Sequence, residues 1–355
     1  LNGREVPLQM IPQEGDRICF LDMNSVESYN TYISTFLFVL IAAMNRARPQ
    51  VMLEVQNTFG NALYCDIKNK IVLSDYDLAD VAAEMKAMIQ EKTPITLSFK
   101  KKQEAWSYVK PRFYCDQAPL LSALPDDVEI PVYELDGVSA YFVNPLLPHL
   151  GYLKEFELIR MGSGILLRYG KRGHYDRLEP FARRDKLAAV YADSEKMGQR
   201  LHCPTVAALN QFIKRGNSRE IILACEAQHE KKIAQIADAI ASEERGVRLV
   251  LIAGPSSSGK TTFSQRLAVQ LRVNGMRPIP ISMDNYFKER KDTPRLPDGS
   301  YDFESLGALD TDLFNEQLHE LLQGKTVTIP HFSFHTGTRS YRTKRNSWEM
   351  TVSLL

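Results

Sequence analysis

The spacing of apolar residues predicts several helices in the first two thirds of the chain. Residues 29–46 and 74–90 repeat their apolar positions every three to four residues, the period of an amphipathic α-helix. In residues 74–90, Ser74 is a typical N-cap, and one face of the helix is apolar: Leu78, Val81, Ala82, Met85 and Ile89. Residues 205–215 and 218–242 follow the same period, so two further helices are predicted there.

A second pattern, in which apolar and polar residues alternate, predicts strands. Residues 132–135 and 138–143 alternate on either side of Asp136-Gly137, a dipeptide typical of a tight hairpin. Near the start of the chain, residues 5–9 and 17–21 are predicted to form two more short strands. Helices and strands together predict an α+β front module.

Further along, an apolar stretch at residues 249–253 predicts a buried strand that leads into the turn GPSSSGKTT. Its spacing of Gly, four residues and then Gly-Lys-Thr is the pattern of a phosphate-binding loop. The backbone N–H groups of such a turn, and the start of a helix predicted over residues 261–274, bind phosphate oxygens. Lys260 is expected to bind the β and γ phosphates of ATP, and Thr261 to ligate Mg²⁺. The predicted ATP-binding residues are Gly254, Pro255, Ser256, Ser257, Ser258, Gly259, Lys260, Thr261 and Thr262.

One helix later, residues 277–283 predict a second strand, and Asp284 follows it directly. A strand, helix and strand of this length form a right-handed crossover, so the two strands are expected to lie parallel in one α/β sheet. Ligands bind at the carboxyl ends of such strands. A carboxylate there can accept the proton of a substrate hydroxyl that attacks the γ-phosphoryl group, or hold Mg²⁺ through water. The alternative is that Asp284 only caps the following turn.

Composition is that of an ordinary globular protein. Of the 355 residues, 44% are apolar and 25% charged, and a net charge of +1 gives no global field that favours nucleic acid or a membrane. The five cysteines include no CxxC pair, which favours reduced thiols in the cytoplasm. The longest apolar run, residues 36–44, is half a membrane span, and the chain starts at Leu1 without an export leader. We therefore expect a cytoplasmic protein without membrane contact, whose native start is missing.

The front module resembles parts of threonyl-tRNA synthetases. Residues 1–24, with NGREVPL and a GD turn before a short closing strand, resemble the last third of a TGS domain, a small β-grasp module. Residues 25–200, and above all NPLLPHLGYLKEFEL at 144–158, resemble the second additional domain of that family. The resemblance implies the fold of a domain that hydrolyses mischarged tRNA with His and Cys ligands.

The residues that would carry this editing chemistry are missing. Aligned on the 144–158 motif, the family's Cys and His fall at Phe142 and Leu146, and its helical HxxxH is absent. No histidine precedes His149. We therefore expect the fold without the editing activity.

A basic stretch, residues 168–186, contains seven Lys or Arg residues and three acids. Two interpretations stay open: contact with RNA or phosphate, and a solvated face that the acids partly neutralise. The second is favoured, so RNA contact is left as an open partner. His174 and the adjacent His202 and Cys203 have no partner at metal-ligand spacing and are interpreted as surface residues.

Three motifs after the phosphate loop resemble the uridine kinase branch of the phosphoribulokinase/uridine kinase family. They are SMDNYF at 282–287, YDFE at 301–304, and IPHF at 329–332 with Arg339. The resemblance implies ATP-dependent phosphorylation of a nucleoside 5′-hydroxyl, with Asp284 as the base. The implied substrate-binding residues are Tyr286, Tyr301, Asp302, Phe332 and Arg339.

Within that set, Tyr301 and Asp302 are expected to bind the ribose and Phe332 to stack on the base, because carboxylates accept hydrogen bonds from vicinal hydroxyls and an aromatic face suits a planar base. The family's base-reading histidine falls at Gly337, so the preferred base is not implied.

The family pattern is incomplete in its last part. An acidic strand for Mg²⁺ and an arginine-bearing lid are expected there, but residues 344–355 contain only a candidate strand stub at 352–355. The predicted domains are a TGS-like remnant at 1–24, a synthetase-like α+β domain at 25–200, a helical connector at 201–246 and a truncated P-loop kinase domain at 247–355. An incomplete sheet also predicts exposed apolar surface and self-association.

The leading hypothesis is an ATP-dependent nucleoside kinase, with activity impaired by truncation. A non-catalytic module that binds nucleotide or RNA is the first alternative. A related P-loop kinase that acts on another small alcohol is the second.

Overall fold

The computed structural model describes residues 1–108, 121, 124–182, 184–244, 246–255, 257–346 and 352–354. The chain divides into two compact units, a first unit at Leu1–Asn217 and a second unit at Ser218–Leu355. This boundary falls inside the segment at 201–246 that the sequence predicts as one connector. One of its helices lies in each unit.

The first unit contains two antiparallel sheets. Its strands are β1 Leu53–Thr58, β2 Ala62–Ile67, β3 Thr96–Lys101, β4 Glu129–Leu135, β5 Val138–Tyr141, β6 Phe156–Met161 and β7 Gly164–Tyr169. One sheet has the order β1-β2-β7-β6 and the other β3-β4-β5. Strands β4 and β5 form the predicted hairpin, with Asp136 at φ 52° and Gly137 at φ 73° in its tight turn.

The helices of the first unit are α1 Val26–Ala47, α2 Asp75–Gln90, α3 Lys102–Tyr108, α4 Asp185–Arg200 and α5 Val206–Lys214. Helices α1 and α2 confirm the predicted segments. Ser74 caps α2 in a capping box: its hydroxyl accepts from the Asp77 N–H, and the Asp77 carboxylate accepts from the Ser74 N–H at 2.8 Å. The apolar face of α2 packs into the same core as α1.

By length and composition alone, α1 is long and apolar enough to cross a membrane. The apolar part of α1 is therefore longer than the uninterrupted apolar run at residues 36–44. In the structure, 56% of the apolar window is buried, and side chains such as Phe36, Phe38 and Leu40 lie fully inside the core of the first unit. The core helix of a folded domain meets the same criterion.

The two strands predicted at 5–9 and 17–21 are wrong. Residues 1–24 contain turns and irregular chain, held together at Asn2, whose N–H donates to the Arg17 carbonyl at 2.9 Å and whose side chain donates to Asp16 at 2.7 Å. Strands are stable only when their backbone pairs with a neighbour. Among the described residues, no strand pairs with this segment.

Phe142 and Leu146, the positions of the metal ligands in the synthetase-like pattern, are buried in the core of the first unit. The Phe142 ring lies 5.2 Å from that of Phe38. Within the described ranges, no group of three His, Cys, Asp or Glu side chains could hold a metal ion.

The second unit has a small parallel sheet and a hairpin. Its strands are β8 Leu249–Leu251, β9 Ile279–Ile281, β10 Thr326–Ser333, β11 Thr338–Asn346 and β12 Val352–Leu354. Strand β12, the candidate stub, lies between β8 and β9 and pairs parallel with both. Strands β10 and β11 form an antiparallel hairpin.

Three helices complete the second unit: α6 Ser218–Ala241, α7 Lys260–Val273 and α8 Thr311–Leu322. Helix α6 packs on α7 through Ile233, Ala237, Leu267 and Leu271. The prediction of a buried strand at 249–253 is wrong in part, since Leu249 and Val250 are half-buried and Leu251 is 70% exposed. Strand β8 is short and lies at the edge of the sheet, so among the described residues it pairs with one strand, β12.

Candidate active site

The register of the parallel sheet places the phosphate loop and Asp284 at one edge. Leu251 of β8 and Ile281 of β9 are both in register with Leu354 of β12. Gly254 and Asp284 each follow three residues later. Neighbouring strands lie about 4.8 Å apart, so the ends of β8 and β9 are about 10 Å apart. The two segments therefore leave the same, carboxyl edge of the sheet.

The phosphate loop is compact and ends at the N-terminus of α7. A Cβ atom at Gly254 would lie 2.7 Å from the Ser258 Oγ, so only glycine permits this approach. Lys260 Nζ donates to the carbonyl oxygens of Gly254 and Pro255, both at 2.9 Å. Of the nine predicted ATP-binding residues, Ser256 lies outside the described residues.

The residues present fit a phosphate group and its metal. The Lys260 ammonium and the N-terminus of α7 bring positive charge to the mouth of the loop. Thr261 and Thr262 are exposed in the first turn of α7, and the Thr261 hydroxyl is the group that could hold Mg²⁺.

Asp284 stands in a short 3-10 turn, Met283–Tyr286, directly after β9. Ser282 caps this turn by accepting from the Asp284 N–H at 3.3 Å, so the Asp284 side chain is not its cap. Asp284 is exposed, and its carboxylate has no hydrogen-bond partner among the described residues. It is therefore free to act on a bound hydroxyl.

Tyr286 is buried in the second unit, and its predicted role in substrate binding stays a prediction. Its side chain is 1% exposed, and its hydroxyl donates to Gln317 Oε1 at 2.9 Å. Gln317 in turn donates to the Thr328 carbonyl at 3.0 Å. Burial raises the pKa of Tyr286 to about 12. The Tyr286 side chain belongs to the core because its ring packs against Phe314 of α8 at 5.1 Å.

Arg339 is also engaged within the protein, and its predicted contact with substrate stays a prediction. Its guanidinium donates to the Asp310 carboxylate and to the Phe287 carbonyl, both at 2.9 Å, and its side chain is 11% exposed. Burial raises the pKa of Asp310, but hydrogen bonds from Arg339 and Leu313 outweigh burial and leave that pKa below its usual value. Arg339 thus ties β11 to α8 and to the turn that carries Asp284.

Phe332 is buried as well, with 5% of its surface exposed, and its predicted stacking on a base stays a prediction. The pairing register shifts between Ile329 and Pro330, where β11 has one extra residue, and beyond this shift the buried positions of β10 are Pro330 and Phe332. Its ring contacts Phe287 at 5.7 Å and Phe334 at 5.0 Å. Phe334 is 51% exposed and is the accessible ring of these three.

Tyr301 and Asp302 lie beside the same group of rings. The Phe303 ring is 6.0 Å from Phe287 and 5.8 Å from Tyr301, which brings this motif next to the turn after Asp284. Asp302 Oδ1 accepts from the Glu304 and Ser305 N–H groups at 3.2 and 3.1 Å. The predicted ribose contacts are therefore near the site, although one oxygen of Asp302 holds its own turn.

Sequence reasoning missed Arg290 and Phe334. Arg290 lies in the charged run KERK, where nothing separates it from neighbouring cations. Phe334 follows Phe332 by two residues but lies beyond the end of β10, in the turn before β11, where its ring is exposed. The apolar pattern gives no signal that separates the two, because residues two apart in a strand share one face.

A phosphate loop after one parallel strand and a free carboxylate after the next define a P-loop kinase domain. Residues 249–352 match the Phosphoribulokinase / Uridine kinase family. The chain is 38% identical over 97 residues to a uridine kinase from Schizosaccharomyces pombe, which covers 27% of this chain and 21% of that protein. It is 27% identical over 164 residues to a threonine–tRNA ligase from Chlamydia trachomatis, which covers 46% of this chain and 25% of that protein.

A solved structure, described as a possible uridine kinase from Bacillus stearothermophilus, matches with 28% identity and a TM-score of 0.31, over 35% of this chain and 68% of that one. The chain spans a quarter or less of the length of the two curated relatives above. Its C-terminal part is similar to the phosphoribulokinase/uridine kinase family, and the part before it is similar to threonine–tRNA ligases, which confirms both resemblances that the sequence predicts.

Proposed function

We propose that this chain binds ATP with Mg²⁺ and transfers the γ-phosphoryl group to the 5′-hydroxyl of a nucleoside. The observation that carries the proposal is the equivalent register of Gly254 and Asp284 at one edge of the parallel sheet. An exposed carboxylate without a protein partner, about two strand spacings from a phosphate loop, suits a general base.

Each group has one task in this reaction. Lys260 and the N-terminus of α7 bind the phosphate oxygens of ATP. The Thr261 hydroxyl would hold Mg²⁺, which would neutralise charge on those oxygens. Asp284 accepts the proton of the substrate hydroxyl while the oxygen of that hydroxyl bonds to the γ phosphorus. The bond from that phosphorus to the bridging oxygen breaks, and ADP leaves with the electron pair.

A nucleoside is favoured as the acceptor because the kinase relative is named a uridine kinase and because Tyr301 and Asp302 lie beside accessible aromatic surface. A second candidate is a related kinase that phosphorylates another small alcohol. It is supported by the burial of Tyr286, Phe332 and Arg339, because buried side chains are not available to contact a nucleoside.

A role in RNA binding receives less support from the basic stretch at 168–186. Arg168 pairs with Glu157 and lies over the Phe181 ring at 5.0 Å, and Lys171 pairs with Glu179 at 3.5 Å. These contacts favour the interpretation as a solvated face. A cytoplasmic enzyme remains our expectation from the cysteine pattern.

The test is ADP formation by the purified chain with ATP and Mg²⁺, with uridine, cytidine, adenosine, inosine and two non-nucleoside alcohols, pantothenate and glycerol 3-phosphate. The proposal predicts ADP formation that depends on a nucleoside. Turnover with a non-nucleoside alcohol alone would support the second candidate. ATP binding by calorimetry, with no ADP from any acceptor, would leave a non-catalytic nucleotide-binding module.

A further inference from the structure

Arg290 is hydrogen-bonded to the backbone of the turn that contains Phe334 and Gly337. Its backbone N–H donates to the Gly337 carbonyl at 3.0 Å, and its Nη2 donates to the Phe334 carbonyl at 2.7 Å. Gly337 has φ +69°, and a Cβ atom there would lie 2.7 Å from the Arg290 Nε and 3.0 Å from Cζ. The Arg290 side chain therefore packs closely against Gly337, where the positive φ favours glycine.

Most of the hydrogen-bonding capacity of Arg290 is unused. A guanidinium has five N–H donors and no acceptor. Across the described ranges, the Arg290 guanidinium makes one hydrogen bond and pairs with no carboxylate. Arg339, in contrast, contacts a carboxylate and two carbonyl oxygens and is nearly buried. Arg295, another arginine of the same loop, lies over the Tyr301 ring at 4.4 Å and donates to the Tyr301 hydroxyl at 3.1 Å. Arg290 therefore brings its unused donors to the Phe334 side of the site, and Arg295 lies on the Tyr301 side.

The exposed face of Phe334 offers a platform for a flat ligand beside these donors. Its ring is 5.3 Å from Phe287, which follows the Asp284 turn directly. A planar base that stacks on Phe334 presents an edge to Arg290. Because every group on the guanidinium donates, that edge must offer acceptors, and an amino group there would leave two donors facing each other.

On the basis of the proposed nucleoside kinase function, we propose that Arg290 selects bases that carry a carbonyl oxygen where related bases carry an amino group. Uracil and hypoxanthine have this carbonyl, whereas cytosine and adenine have the amino group. When arginine hydrogen-bonds well to the edge of one base, its binding equilibrium favours that base over the wrong base by about fivefold or more. Arg290 is therefore a specificity-determining residue of the acceptor site.

The test compares kcat/KM within two matched pairs, uridine against cytidine and inosine against adenosine. The wild-type chain should prefer uridine and inosine by about fivefold or more. In Arg290→Gln, whose amide both donates and accepts, both ratios should fall towards one while the KM for ATP stays unchanged. Lys291→Gln is the matched control because this neighbouring side chain pairs only with Glu289 in the described part of the chain, at 3.1 Å. It should keep both ratios.

Two results separate failure of this inference from failure of the proposed function. Equal use of the paired nucleosides by the wild-type chain, or unchanged ratios in a folded Arg290→Gln, overturns the selection by Arg290 and leaves the kinase function standing. Absence of turnover with all four nucleosides overturns both. If Arg290→Gln does not fold in a thermal melt, Arg290→Met, which removes all side-chain donors and keeps the chain length, takes its place with the same two outcomes.

Discussion

At the scale of single residues, Arg339 explains how the Asp284 turn keeps its position. Its guanidinium links the Asp310 carboxylate to the carbonyl oxygens of Tyr286 and Phe287. Asp310 completes the clamp, because its own N–H donates to the Tyr286 carbonyl at 2.8 Å. Motif spacing identifies an arginine here but says nothing about which way it faces. Burial and these contacts make it a positioning residue.

Arg339→Lys should therefore lower kcat while it leaves the nucleoside KM nearly unchanged. A lysine cannot reach both the carboxylate and the carbonyls, so one acceptor loses its donor, at a cost of about 1–3 kcal/mol in unfolding free energy. Steady-state kinetics and thermal melts measure the two effects. Arg277→Lys, at an exposed arginine, is the control and should change neither. A raised KM at constant kcat would instead show that Arg339 binds substrate.

At the scale of elements, signals that lie within a helix or a hairpin can be predicted from the sequence, whereas the pairing of distant strands cannot. Helix α2 runs over Asp75–Gln90, as predicted from Ser74 and the apolar period, because caps and periodicity lie within the element. The strands predicted at 5–9 and 17–21 are absent, because a strand depends on a partner elsewhere. The burial of Phe332 was missed for a related reason: the buried positions along β10 change where its pairing with β11 shifts register.

The capping box of α2 should be worth about 1 kcal/mol. Ser74→Ala removes the hydroxyl that accepts from the Asp77 N–H at 3.1 Å, and the freed N–H is left to solvent. We expect the midpoint of urea unfolding of the first unit to fall accordingly. Ser74→Thr, which preserves a capping hydroxyl, is the matched control and should restore most of the loss. Equal stability of the alanine and threonine variants would show that the cap contributes nothing.

At the scale of the whole molecule, the chain has two units with separate cores. The phosphate loop and Asp284 could be predicted because each directly follows a strand, and parallel strands share one edge. The environment of the predicted substrate-binding residues could not be predicted, because it depends on how the β10–β11 hairpin, α8 and the loop at 288–295 pack together. The predicted self-association remains a prediction, and exposed apolar side chains of the second unit, such as Leu251 and Val273, are its basis.

The most direct test of the central claim is Asp284→Asn in two assays on one sample: ATP binding with Mg²⁺ by calorimetry, and nucleoside-dependent ADP formation. Asparagine keeps the shape of the side chain but cannot accept the proton, so ATP affinity should stay within about twofold while turnover falls by about 10² or more. Asp284 is exposed and its carboxylate makes no hydrogen bond to the described residues, so the fold should be unaffected. An Asp284→Asn chain that forms ADP at the wild-type rate would contradict the proposed role of this edge of the sheet.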